Sequence, residues 1–184
     1  MINHPMKKIA AVACLGVLAN AAVSADYDGE LVKPENVVTD KSIDEPQRNA
    51  QSLAARRYYT FWDTGNAKFA KAALAENFKD LNLPQGRVQG PEGPLQASAQ
   101  FRQAVPDLKV AVTEMLIVDD RVIGRLHFTG HFTGKFGNLQ GKGQVVDFSA
   151  VDIYRIANGK IIENWHLEDN LTLLQQFGAV KMDK

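Results

Sequence analysis

Cysteine is almost missing: among 184 residues there is one, Cys14. No downstream residue can supply a thiolate nucleophile, a thiolate metal ligand or half of an internal disulfide, which excludes those classes for the rest of the chain. Surplus charge is missing as well. Lys and Arg number 21, Asp and Glu also 21, for a formal net charge of zero. A nucleic-acid partner would call for a basic surplus gathered on one face, so none is expected. Beyond residue 25 no apolar run approaches the roughly 20 residues that span a bilayer. The familiar local signatures of catalysis do not occur either. There is no glycine-rich phosphate loop after a strand, no GxSxG elbow, no HExxH and no pair of cysteines.

What is present begins with a leader. Lys7 and Lys8 end a charged segment, residues 9–18 are apolar, and the small residues Val23-Ser24-Ala25 precede the polar run Asp26-Tyr27-Asp28. That is the three-part pattern of a secretory signal peptide, residues 1–25, cut after Ala25. A membrane anchor would need a longer stretch without the interruption at Asn20. A lipoprotein cut before Cys14 would need an apolar region of roughly 7 residues or more ahead of the cysteine, and a polar tether after it. The expectation is a periplasmic or secreted protein with no membrane attachment after cleavage. Cleavage removes Cys14, His4, Lys7 and Lys8, so the mature chain is slightly acidic and keeps His127, His131 and His166. About 159 residues remain, enough for one domain with its own core.

Residues 26–46 are polar and aperiodic and read as an extended lead-in. From Pro46 the period becomes helical, with Leu53, Ala54, Arg57, Tyr58, Phe61 and Trp62 on one stripe. Asp63-Thr64-Gly65-Asn66 stops that helix and caps a second, which carries Phe69, Ala72, Ala73 and Leu74. Residues 83–94 are dense in Gly and Pro and form a loop, and a third helix follows over 95–105. Then the period changes to two. Leu108, Val110 and Val112 alternate with polar or small residues, Asp119-Asp120 turns the chain, and strands follow over 121–133 and 145–157. Asn158-Gly159 is a hairpin signal leading into a strand over 160–167. A short helix over 169–177 ends at Gly178. Helices first, then antiparallel strands, then a closing helix describe an α+β domain over residues 47–180.

Two groups of residues carry chemistry. Strand alternation puts Arg125, His127, Thr129 and His131 on one face, opposite Leu126, Phe128, Gly130 and Phe132. That polar face is either solvated, part of a subunit interface, or wrapped around a pocket. His127 and His131 stand about 13 Å apart at this spacing and lack a third ligand, so a metal site is not expected. The second group is Glu163-Asn164-Trp165-His166-Leu167-Glu168-Asp169, where a strand gives way to a helix. Asp169 suits a helix N-cap. The cap is the stronger reading from the residues alone, and a general base is the other if the closing helix covers an apolar cavity, since partial burial raises a carboxylate toward the working pH. His166 is either a second acid–base group or a satisfied core histidine.

Residues 152–165, Asp-Ile-Tyr-Arg-Ile-Ala-Asn-Gly-Lys-Ile-Ile-Glu-Asn-Trp, and residues 169–178, Asp-Asn-Leu-Thr-Leu-Leu-Gln-Gln-Phe-Gly, resemble the ending of the SnoaL-like polyketide cyclases (ester cyclases) of the NTF2-like superfamily. That ending reads D-I-x-R-x-x-D-G-K-I-x-E-x-W, then D-x-x-x-L-L-x-Q-L-G. Residues 101–108, Phe-Arg-Gln-Ala-Val-Pro-Asp-Leu, are similar to the family's F-R-x-A-F-P-D-L. Residues 129–136, Thr-Gly-His-Phe-Thr-Gly-Lys-Phe, are similar to its G-T-H-x-G-x-F turn, with one residue more than the usual spacing. The resemblance covers about residues 50 to 180. In the family's Y-x-D-H run this chain has Phe78-Lys79-Asp80-Leu81, with leucine in the histidine's place.

The resemblance implies a cone-shaped fold in which a strongly bent antiparallel sheet wraps against about three N-terminal helices, with a closing C-terminal helix and an apolar cavity. It implies ring closure by intramolecular aldol chemistry without metal or cofactor, on a small apolar carbonyl compound. The family aspartate falls on Asp169 as base, with His166 and His131 assisting. Trp62, Phe101, Arg125, His127 and Trp165 are the expected substrate contacts. A homodimer or higher homo-oligomer is the expected assembly. A binding module using the same cavity without chemistry is the alternative of another class, and a hydratase or isomerase a third.

Overall fold

Local signals account for most of the elements. The computed structural model describes residues 31–181, and the leader over residues 1–25 lies outside them. A first strand, β1 (Val37–Thr39), precedes the long helix α1 (Glu45–Thr64). Asp44 caps that helix by accepting from the Gln47 amide at 2.8 Å, Pro46 sits in its first turn, and Gly65 ends it at φ 71°. Asn66 caps α2 (Ala67–Ala73), which runs straight into β2 (Leu74–Asp80). Helix α3 (Glu92–Ala104) leads to the long strands β3 (Lys109–Val118) and β4 (Arg121–Phe132). The small hairpin of β5 (Lys135–Phe136) and β6 (Leu139–Gln140) stands apart from the main sheet. Strands β7 (Gln144–Ala157) and β8 (Lys160–Glu168) and helix α4 (Asn170–Gln176) complete the order.

The main sheet runs β1-β3-β4-β7-β8-β2. Its four long strands form an antiparallel meander, as the hairpin signals predict. Asp119 and Asn158 both take positive φ, 51° and 52°, the conformation that tight hairpin turns require. Both edge strands add in parallel, β1 on β3 and β2 on β8. The expectation of a purely antiparallel sheet is corrected to that extent. Sequence reading placed Leu74 on the second helix and assigned residues 75–82 to no element, yet residues 74–80 make β2. The pairing with β8 overrides a weak local preference. Register shifts between Val112 and Glu114 and between Arg155 and Ile156 insert bulges that help to bend the sheet.

The lead-in also packs. Leu31 and Ile43 are buried, and Arg56 Nε donates to the Val32 carbonyl at 3.0 Å. The folded unit therefore begins by Leu31 rather than at residue 47.

Helix α1 lays Ala54, Ala55, Tyr58, Tyr59 and Phe61 against the concave face of the sheet, where Tyr154 meets both tyrosines at ring distances of 5.6 Å. The approach at Gly124 is so close that an added methyl would collide with the Tyr59 hydroxyl. Arg102 of α3 donates from Nη2 to the Trp62 carbonyl at 2.6 Å, tying the two helices that flank the cavity.

Candidate active site

The concave face does not fill completely. Between it, the helices and the loop after β2 lies a cavity of about 590 Å³. One end is apolar and aromatic. Trp62, Phe101, Leu126, Phe128, Phe136, Phe148 and Leu173 line it, with Phe128 stacked on Phe148 at 4.9 Å. The other end is polar and is built by three strands in phase. Asp80 ends β2, Asp152 lies in β7, and Asn164, His166 and Glu168 alternate along β8.

His166 sits at the centre of this group with its side chain only 6% exposed. Its Nε2 lies 3.1 Å from both oxygens of Asp80, and its Nδ1 lies 2.9 Å from Glu168 Oε1. A ring with a carboxylate at each nitrogen donates from both, so it is an imidazolium. Burial pushes its pKa down, but the bonds to Asp80 and Glu168 push harder and raise it to about 10. Burial pushes Asp80 and Glu168 up, and the imidazolium outweighs that too, holding both carboxyls below their ordinary values.

Asp152 behaves differently. It is buried, and burial raises its carboxyl to about 6, against the hydrogen bond from Tyr154, the charge of His166 and the bond from Asn164. Tyr154 Oη donates to Oδ2 at 2.7 Å, and Asn164 Nδ2 donates to Oδ1 at 3.3 Å. The loop that follows β2 is fastened beside the site. Asn82 Nδ2 donates to the His166 carbonyl at 2.6 Å, and the Gln89 side chain bonds both the amide and the carbonyl of Asp80. Arg87 Nη1 stands 3.9 Å from Asp80.

Of the residues singled out from sequence, the cavity gathers His166, Trp62 and Phe101. The rest lie elsewhere. Asp169 is the N-cap of α4, accepting from the Thr172 amide at 3.0 Å and from its hydroxyl at 2.7 Å, bonds that lower its carboxyl in an exposed position. That is the structural alternative already attached to it, so Asp169 is corrected from base to cap. Arg125, His127 and His131 point outward, because their phase on β4 is opposite to that of Leu126 and Phe128. Arg125 Nε donates to Thr113 Oγ1, and His127 pairs with Asp147 at 2.7 Å. His131 pairs with Asp107 at 2.7 Å, and its amide donates to the same carboxylate. That contact joins the two internal motifs at residues 101–108 and 129–136, a structural role for both. Trp165 is half-exposed on the outer face between Asn164 and His166.

Sequence reading missed Asp80 and Asp152 as site residues and gave Asn164 and Glu168 no role beyond membership of the segment 163–169. Asp152 left a signal: it shares its phase with Val146, Phe148, Ala150, Tyr154 and Ile156, the only carboxylate in an otherwise buried row of β7. Asp80 left only its place as the aspartate of the Y-x-D-H-like run at residues 78–81, and no local pattern brings β2 beside β8.

Comparison with known proteins follows the same lines. Residues 52–177 match the family model of the SnoaL-like polyketide cyclase. A candidate polyketide cyclase from Bacillus cereus is 40% identical over 83% of this chain and 96% of its own, with a TM-score of 0.75. TsrD from Streptomyces laurentii (20% identity, TM-score 0.65, covering 76% and 100%) shares the fold. So does IdmH, a candidate polyketide cyclase from Streptomyces antibioticus (21%, 0.63, covering 70% and 98%). No curated protein matches the chain.

Proposed function

The chain belongs to the SnoaL-like polyketide cyclase family, and from that premise we propose that it is a cofactor-independent acid–base enzyme acting on a small, largely apolar carbonyl compound. One observation carries the reading: a buried carboxylate raised to about 6 stands at the polar end of an aromatic cavity, next to an imidazolium. A general base works best with a pKa near the operating pH. Asp80 and Glu168 are held too low to compete, and His166 carries a proton already, so Asp152 is the base. Asp152 removes a proton from the carbon beside a carbonyl, leaving an enolate. The positive charge of His166, fixed in a poorly solvated site, favours the negative charge that develops. In an aldol closure the enolate carbon bonds to a second carbonyl carbon, and the new alkoxide takes the proton back from Asp152.

The first half of that sequence is testable without the natural substrate. In D2O, an apolar ketone such as 2-tetralone exchanges its α-hydrogens, and NMR follows the rate. Wild-type protein should accelerate the exchange and Asp152→Asn should not. No acceleration by the wild type would leave the cavity as a binding site only.

Two further parts of the reading concern export and assembly. Export rests on the leader pattern, and mass mapping of the exported chain should find Asp26 at its start. Self-association rests on an apolar strip of Val151, Leu167 and Trp165 on the outer face of β7 and β8. Sedimentation should show a dimer or larger species that Leu167→Asp disperses.

A further inference from the structure

The polar end of the cavity holds two cations, and their N–H groups are spent very differently. His166 directs one ring N–H to Asp80 and the other to Glu168, so it has no donor left for a substrate oxygen. Its charge acts from behind those two carboxylates. Arg87 is the opposite case. It lines the same cavity, its side chain is 24% exposed, and no hydrogen bond among the described residues engages its guanidinium. Asp80 Oδ2 stands 3.9 Å from Nη1, close enough to attract the charge and too far to accept a hydrogen bond. None of the guanidinium nitrogens is sealed off, unlike Nε of Arg102, so every N–H is open to a ligand. The charge of Arg87 is felt by Asp80 of β2, Glu168 of β8 and Tyr58 of α1, which sets it among the elements that meet at the polar end. The loop keeps it there. Gly86 takes φ 83°, and the Arg87 amide donates to the Pro84 carbonyl at 3.1 Å, closing a tight turn. On either side, Asn82 and Gln89 fasten the loop to the backbone of His166 and Asp80.

From this we propose that Arg87 is the oxyanion contact: its guanidinium donates to the substrate's carbonyl oxygen while Asp152 removes the neighbouring proton. The inference rests on the acid–base reading above and names the group that completes it. As the C–H bond breaks, the proton goes to Asp152 and the bonding pair forms the carbon–carbon double bond. The carbonyl π pair moves onto oxygen, and the negative charge meets Arg87 there. A guanidinium stays protonated throughout, so it supplies charge and hydrogen bonds and transfers no proton. Donors fixed in place before the reaction stabilise the enolate more than the ketone. The competing role is a plain ion pair in which Arg87 only balances Asp80.

Exchange of the 2-tetralone α-hydrogens in D2O and binding of 2-naphthol separate the two roles. Ionised 2-naphthol has the ring skeleton of the ketone and carries its charge where the enolate does, and its ionised and neutral forms absorb at different wavelengths. In Arg87→Gln, kcat for exchange should fall about a hundredfold, with KM changed by less than about threefold. The ratio of ionised to neutral 2-naphthol in the bound state, at fixed pH, should fall about tenfold in the same variant. Arg87→Lys, which keeps the charge and loses the planar fork, should hold most of that ionisation and lose about tenfold in kcat. Circular dichroism checks that each variant folds, and Arg87→Lys carries the test if Arg87→Gln does not. A plain ion pair would lower Tm on replacement and leave both readouts as they were. An unchanged kcat in the folded variants, an unchanged ionisation ratio in Arg87→Gln, or a wild type that binds no 2-naphthol overturns the proposal. The two claims separate cleanly. Control of 2-naphthol ionisation by Arg87 without deuterium exchange removes the enzymatic reading alone, and exchange that Arg87→Gln leaves intact removes this one alone.

Discussion

Asp152 and His166 are direct cross-strand partners on β7 and β8, so a buried carboxylate and a buried imidazolium rise side by side from the concave face. Two-residue periodicity on both strands puts them there, and the antiparallel register between the strands aligns them. The pair is the core of the site. His166 pulls the Asp152 carboxyl down, burial pushes it up, and burial wins.

That balance sets a pH profile. Asp152 must be ionised to accept a proton, so kcat/KM for α-hydrogen exchange should fall as pH drops through about 6 and level off above it. Asp152→Asn should lower the rate by about a hundredfold or more with the fold intact. Glu168→Gln, which removes one partner of His166, should cost less. A larger loss in Glu168→Gln than in Asp152→Asn would move the base to Glu168, whose side chain is 29% exposed.

Stability should follow His166 at the other end of the pH scale. Its pKa is 6.5 when unperturbed and about 10 in the fold, so the folded chain holds the proton more tightly than the unfolded one. The stabilisation is complete below about 6.5 and is lost as pH rises through 10. Thermal unfolding should show Tm falling over that window. His166→Gln should be less stable at neutral pH, because Asp80 and Glu168 lose their cation, and its Tm should change less over the same range. A wild-type Tm that is flat from pH 7 to 10 would count against an imidazolium at this position.

Asp169 should prove to be structural. Asp169→Ala removes the cap of α4, whose Leu173 helps line the cavity, and should lower Tm by roughly 3 °C. Asp169→Ser, which keeps a capping oxygen, should restore it. Exchange activity should survive in both within a few fold. Loss of activity in Asp169→Ser without loss of stability would return the base to Asp169.

Gly124 tests the packing that holds the site's floor. Gly124→Ala should destabilise the fold by about 1–3 kcal/mol, measured by denaturant unfolding, because the new methyl must displace Tyr59 from a filled core. An unchanged midpoint would mean that α1 shifts freely against β4.

The chain by itself determined its helices, its four long strands and their order, for local reasons. Helix stripes, Asn66 at a cap, the turn at Asn158-Gly159 and the two-residue alternation of β3, β4, β7 and β8 are all short-range patterns that physical chemistry reads directly. The motif resemblance carried the fold further, to a bent sheet around a cavity. Alternation also separated the two faces of β4, without saying which face was concave. Only tertiary structure decided that, by laying α1 on the side of Leu126 and Phe128 and leaving Arg125, His127 and His131 outside. Only it separated the exposed, capping Asp169 from the buried Asp152 proposed as the base, since a strand–helix junction can present a cap or a base and burial chooses between them. It also brought in Asp80, whose partner His166 lies 86 residues away. Contacts over that distance depend on β2 pairing in parallel with β8, and no short-range pattern in either segment encodes that pairing.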